Sequence, residues 1–352
     1  VRILWLLPDF GYNAAARQAF HIVPELIRMG HSVVTAALRA GGGMVEEMRQ
    51  RELSPRELAA PADMPVKCLI ELDKILKDEP FDLVHTWRLP AARAMGTSRL
   101  ARSHRPKLLV SQPKRGAKWN PLDRLLLARV DCLAADVGES GPRLPSVPLA
   151  VEVPEPKPWP MQLGIPDGAR VIFCIGDFTS EHSFRDAIWA FDVLKYVYAE
   201  LRLVLVGDGP EREALMRFGN EVIGATDRVH FLTDRTEGPS LLTNAEMVWV
   251  PSRKRCGEQV ALEAQASGVP VVATNLPGMA TVLGNGQSGV LVPPGEPVEM
   301  AKAARPVLDD PNRRCELIEA GRKAIGSEHA PEAVARRWLE VYAEVAAKRA
   351  SA

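Results

Sequence analysis

Short apolar runs rich in leucine and β-branched residues recur along the chain, separated by stretches of helix length. In the first half these runs predict strands at Val1 to Leu7, Ser32 to Ala37, Phe81 to Thr86, Lys107 to Ser111 and Cys132 to Ala135. In the second half they fall at Arg170 to Ile175, Arg202 to Val206, Val229 to Leu232, Met247 to Pro251, Val271 to Ala273 and Gly289 to Val292. Strands alternating with helices imply parallel pairing through right-handed crossovers, with both faces of each sheet covered. Ligands then gather beyond the strands' carboxyl ends.

The alternation breaks once, at PSVPLAVEVPEPKPWP from Pro145 to Pro160, where prolines forbid both a helix and a central strand. This stretch is read as a linker, giving a first domain over 1–153 and a second over 154–330. Beyond it, Val334, Trp338, Val341, Tyr342 and Val345 share one face of a terminal helix spanning Pro331 to Lys348, which needs a surface to cover.

A chain of 352 residues exceeds what one core usually organises, in keeping with two domains. Lys plus Arg and Asp plus Glu each number 44, and this balance argues against nucleic-acid binding or a polybasic membrane adaptor. Five cysteines without a CxxC pair indicate neither a zinc site nor a disulfide framework, and a reducing cytoplasm fits best. The opening VRILWLLP is too short to span a bilayer and lacks the features of a signal peptide, so it reads as a buried strand. The start at Val1 leaves targeting, and peripheral contact with the inner face of the membrane, as open questions.

The most informative stretch is VPSRKRCGEQVALEAQASGVPVVATNLPG, Val250 to Gly278. It predicts a strand, a loop, a helix over Gly257 to Ser267 and a second strand, with Gly268 and Pro270 ending the helix. Glu263 lies midway along that helix, and a solvated helix face is the plain alternative for it. The residues Glu263, Ala264, Ala266, Gly268 and Pro270 form E-A-x-A-x-G-x-P, and with them the chain resembles the family 4 (group 1) retaining glycosyltransferases. LVLVGDGPEREAL from Leu203, VHFL from Val229, VWVPSR from Val248 and SGVLVPPGE from Ser288 extend the likeness over nearly the whole chain, as do D-L-V-H at Asp82 to His85 and G-H-S-V at Gly30 to Val33.

The resemblance implies the GT-B fold: two Rossmann-like, doubly wound α/β domains facing a cleft, with the C-terminal helix 331–352 crossing back to the first. It also implies a nucleotide-sugar donor (a UDP-, GDP- or ADP-sugar) in the second domain and a glycan, lipid or small-molecule acceptor on the first. It further implies transfer with retention, without a metal or other cofactor. Glu263 matches the family's glutamate for the donor's ribose hydroxyls, a task suited to a carboxylate. Gly207, in the GDGP turn, Leu232, Gly257 and Val260 are further donor-side candidates, although a tight connection is the plainer reading of Gly207.

At four features the chain departs from the family pattern. Gly176, Asp177 and His182 stand where the family carries Gly, Arg and Lys for the donor pyrophosphate, which needs fixed positive charge. Arg255, eight residues before Glu263, replaces a glutamate and is followed by Cys256, Gly257 and Glu258. The first glycine-rich loop is reduced to Gly11, and Gln112 takes the place of a histidine after the fourth strand. Either Asp177 pairs with Arg255, or Arg253, Lys254 and Arg255 supply the missing cations, with a solvated loop as the plain alternative for that run. Arg255, Glu258 and His85 are the catalytic candidates, and Gly11, His85, Trp87, Gln112 and Lys114 the acceptor-side ones, Lys114 lying in a basic loop with Arg115, Lys118 and Trp119. The expected activity is sugar transfer. A non-catalytic homologue that binds a nucleotide, a glycan or a partner protein is the alternative, and a sugar-phosphate epimerase or phosphorylase ranks below both.

Overall fold

The computed structural model describes residues 1–58, 65–100, 106–111, 121, 125, 130–134, 147–224, 227–233, 237–254, 256–326 and 328–347. The chain divides into two units, Val1–Ala150 with Glu328–Ala352, and Val151–Ser327. The first runs β1 (Arg2–Leu7), α1 (Ala14–Arg28), β2 (Ser32–Ala37), α2 (Val45–Gln50), β3 (Arg56–Glu57), α3 (Pro65–Asp78), β4 (Leu83–Trp87), α4 (Arg88–Leu100), β5 (Lys107–Ser111) and β6 (Cys132–Ala134). Residues 147–160 form neither helix nor strand.

The second unit begins its sheet with β7 (Arg170–Ile175), α5 (Phe184–Leu194), β8 (Leu201–Val206), α6 (Arg212–Ile223), β9 (Val229–Leu232) and α7 (Gly238–Leu242). It continues with β10 (Met247–Val250), α8 (Glu258–Ala266), β11 (Val271–Thr274), α9 (Pro277–Val282), β12 (Val290–Val292), α10 (Pro297–Asp309) and α11 (Pro311–Ile325). Helix α12 (Pro331–Ala347) returns to the first unit.

Among the described residues each unit holds a six-stranded sheet, ordered β3-β2-β1-β4-β5-β6 and β12-β11-β10-β7-β8-β9. Every pairing is parallel. The α/β doubly wound class read from the alternation is therefore the one observed. In β1, Ile3, Trp5 and Leu7 enter one core with α1 and α12, while Leu4 and Leu6 enter another with α3 and α4. Burial on both faces explains why the run is continuously apolar rather than alternating.

The short edge strand β3 was not anticipated. Arg56 and Glu57 are exposed, pair with Ala36 and Ala37, and carry the charges that keep an open sheet edge from pairing further. Helix α12 covers the first sheet as its apolar stripe required: Val334, Ala335, Trp338, Val341, Tyr342 and Val345 are all buried in the core shared with α1 and β1.

Candidate functional site

In the second sheet the chain passes from β7 outward through β8 and β9, then returns to lay β10 on the other side of β7. Such a reversal opens a crevice beyond the carboxyl ends of the two central strands. Two loops border it, residues 176–183 after β7 and, after β10, 251–254 with 256–257. They are tied together. The Arg253 backbone N–H donates to the Glu181 carbonyl at 2.9 Å, and Lys254 Nζ donates to Glu181 Oε1 at 3.0 Å. Asp186, buried in the first turn of α5, accepts from Arg253 Nε at 2.9 Å and Nη2 at 2.8 Å, and from Ser183 Oγ at 2.8 Å. From the neighbouring strand, Thr274 Oγ1 donates to the Ser252 carbonyl at 2.6 Å and fixes the base of the second loop.

Gly257 turns the chain into α8 with a left-handed backbone, φ 91°, and a Cβ there would run into Val250 Cγ1. Glu258 places a carboxylate in the helix's first turn, where the dipole favours it. One turn further in, Glu263 is 1% exposed and accepts from Gln259 Nε2 at 2.8 Å, so it is not part of a solvated face. Helix α8 is buried over most of its circumference because α11 packs on it, Gly321 lying against Gln265. Gln265 Nε2 in turn donates to Ser288 Oγ at 2.7 Å.

The glycines at the strand ends serve close packing. A Cβ on Gly176 would stand 2.6 Å from His182 Cδ2, so the imidazole lies directly on that residue, with Thr179 Oγ1 3.3 Å from its Nδ1. A Cβ on Gly207 would run into the Gly176 carbonyl oxygen. The GDGP turn is a connection. Its Asp208 carbonyl accepts from Phe178 N at 2.9 Å, and Glu211 N donates to the Phe178 carbonyl at 3.0 Å. Gly207→Ala is expected to cost about 1–3 kcal/mol by overpacking against backbone, measured by urea denaturation, and an unchanged midpoint would contradict the contact.

The Cys256 thiol sits 3.2 Å from Ser252 Oγ in the same loop. Burial pushes it up to about 11, and the charges of Glu258, Glu181 and Asp177 add to the shift against the hydrogen bond to Ser252. Among the described residues no group of three His, Cys, Asp or Glu side chains is placed to hold a metal ion.

Residues 169–310, which include both loops and α8, match the family model described as glycosyl transferases group 1. The protein carries a group 1 glycosyltransferase domain. Over 282 residues, covering 79% of this chain and 80% of the relative, it is 26% identical to the lipopolysaccharide core biosynthesis glycosyltransferase LpsD of Rhizobium meliloti. It is 28% identical to the 2-deoxystreptamine glucosyltransferase of Streptomyces kanamyceticus, covering 80% and 82% of the two chains. The structure of Anabaena Alr3699/HepE in complex with UDP-glucose superposes with a TM-score of 0.80 at 16% identity, over 97% of this chain and 99% of that one. The fold is GT-B.

In the glycosyltransferase domain, the crevice loops and α8 carry Gly176, Asp177, His182, Arg253, Lys254, Gly257, Glu258, Val260 and Glu263; Gly207 and Leu232 stand at the ends of β8 and β9, with Gly207 N donating to the Leu232 carbonyl at 2.8 Å. Arg255 lies outside the described residues, as do Gln112, Lys114, Arg115, Lys118 and Trp119.

In the first unit, Asp9 Oδ1 accepts from Gly11 N at 3.0 Å and Asn13 Nδ2 at 2.7 Å. Asn13 Oδ1 accepts from Ala15 N and Ala16 N, so a side chain already engages the leading amides of α1. The expectation that His85 and Trp87 face an acceptor is corrected. His85 is 0% exposed and Trp87 2%, because α12 covers the carboxyl end of β4. Trp5 Nε1 donates to Tyr342 Oη at 3.0 Å, and that hydroxyl lies 2.7 Å from His85 Nδ1. His85 Nε2 lies 2.6 Å from Ser111 Oγ. Both ring nitrogens are thus engaged, one by the Tyr342 phenol and the other by the Ser111 hydroxyl. With the ring fully enclosed, His85 is a structural residue and not a catalytic one.

Sequence reading missed Asp186, Ser183 and Glu181. Their signal was faint: Ser183 and Asp186 form an S-x-x-D spacing at the start of a helix, which alone reads as capping chemistry. It also missed the Gly41 to Gly43 loop, which lies beside the loop after β1, Met44 N donating to the Phe10 carbonyl at 3.1 Å.

Proposed function

We propose that this protein transfers a sugar, with retention, from a nucleotide-sugar donor to a glycan, lipid or small-molecule acceptor in the cytoplasm. The observation that carries the reading is the match of residues 169–310 to the group 1 glycosyl transferase model, a stretch that holds Glu263 on α8. Gln259 Nε2 donates to this buried carboxylate and fixes its place on the helix that leads away from the crevice. An ionised carboxylate accepts at both oxygens, the chemistry that two neighbouring ribose hydroxyls need. The relatives named for sugar transfer support that activity, and the HepE complex with UDP-glucose supports a nucleoside diphosphate as the donor's carrier.

Calorimetric titration with UDP, GDP, ADP and their common sugar conjugates tests this. One conjugate is expected to bind at micromolar concentration, and Glu263→Gln to weaken it about tenfold or more through loss of charged hydrogen bonds. Failure of every nucleotide to bind would sink the donor reading.

A second reading is favoured by the carboxylates of Asp177 and Glu258 near Cys256, beside the Glu181–Lys254 pair. Negative charge there opposes a departing diphosphate. A non-catalytic homologue would bind a nucleotide, or a glycan or partner protein, without releasing sugar. Absence of turnover with a bound donor across a panel of acceptors would support it.

A further inference from the structure

We propose that Arg253 is the anion-binding residue of the crevice between β7 and β10, and that Asp186, steadied by Ser183, is its positioning residue; the assignment rests on the donor reading above. A surface arginine ordinarily samples many rotamers and loses that freedom when it binds a ligand. Arg253 has lost it in advance. Asp186 holds Nε and Nη2 as a two-pronged acceptor at 2.9 and 2.8 Å, is itself buried, and is held by Ser183 Oγ at 2.8 Å. Ser183 has a left-handed backbone, φ 52°, an uncommon conformation for a residue with a side chain.

One edge of the guanidinium fork is thus committed to Asp186. Nη1 belongs to the other edge, and 53% of the side chain remains exposed. A Cβ on Gly295 would stand 3.7 Å from the guanidinium carbon, so bare backbone flanks the group on that side. Pairing with Asp186 raises the Arg253 pKa further, so the charge is permanent. Lys254 differs: 70% of its side chain is exposed, and its partner Glu181 is a partly exposed carboxylate, an arrangement that fixes little. With Asp177 and Glu258 nearby and Glu181 paired with Lys254, a phosphate entering these loops meets one cation among the described residues that is both oriented and rigid, Arg253. A fixed, forked donor is the form in which arginine recognises phosphate best.

The test compares the full-length protein with Arg253→Met and Arg253→Lys, titrating each with UDP, GDP and ADP and with uridine, guanosine and adenosine. For the nucleotide that binds, Arg253→Met is expected to weaken the diphosphate about tenfold or more while leaving its nucleoside unchanged, and Arg253→Lys to recover part of the loss. Unchanged nucleoside affinity also shows that the variant is folded. Equal weakening of diphosphate and nucleoside would make Arg253 a structural residue and overturn the proposal, as would no change in either, and both outcomes leave the donor reading standing. If the unaltered protein binds none of the six, the donor reading fails and this assignment fails with it.

Discussion

Replacing Trp338 with alanine is expected to lower the stability of the first unit by about 3–5 kcal/mol, the usual cost of emptying a large buried aromatic site. The indole is 3% exposed, with its ring centroid 4.5 Å from that of His85 and 6.0 Å from that of Tyr342. Nothing nearby in sequence can refill the space, since α12 reaches this core only after the chain has traversed the second unit. The neighbouring Arg337, exposed and paired with Glu340, provides the control: Arg337→Ala is expected to stay within about 0.5 kcal/mol. Urea unfolding followed by tryptophan fluorescence measures both, each transition fitted separately because two units need not unfold together. A loss below about 1 kcal/mol for Trp338→Ala would mean that α12 is dispensable to the first core.

Acid is expected to weaken the same unit through His85. Enclosure among Trp5, Trp87, Trp338 and Tyr342 disfavours the imidazolium, so burial holds the folded pKa well below the ordinary 6.5. Above that ordinary value both folded and unfolded forms are neutral, and the difference contributes nothing. As pH falls through 6.5 the unfolded chain takes up a proton that the folded one refuses. Stability then declines by up to about 1.4 kcal/mol per pH unit until the folded pKa is reached. His230, whose pKa is lowered by burial and then by Arg202, adds a loss of the same sign in the second unit. His85→Gln is expected to start less stable but to show a shallower decline between pH 6.5 and 5. An unchanged slope would assign the acid sensitivity elsewhere.

These two residues also mark the limit of sequence reading. His85 sits at the end of a strand that the apolar run of Leu83 and Val84 announces, and a strand's carboxyl end in this fold class is where ligands gather. The helix that covers it begins at Pro331, far along the chain, and its apolar stripe tells that it covers something but not what. Trp338 was legible as a buried position, whereas the pairing of Tyr342 with His85 was not. Glu263 shows a similar division. Its motif was visible and a solvated face was the alternative; burial by α11 and the contact from Gln259 exclude that alternative.

The sequence by itself determined the elements: strand runs buried on both faces, the helix stop at Gly268 and Pro270, and the apolar stripe of α12. Each follows from backbone geometry, since the spacing of apolar residues and the limits of glycine and proline act over a few neighbouring positions. Tertiary structure decided which charges meet. Arg253 and Asp186 are 67 residues apart and belong to different crossovers. They pair because β10 returns to lie beside β7, and no pattern within either segment encodes that neighbour.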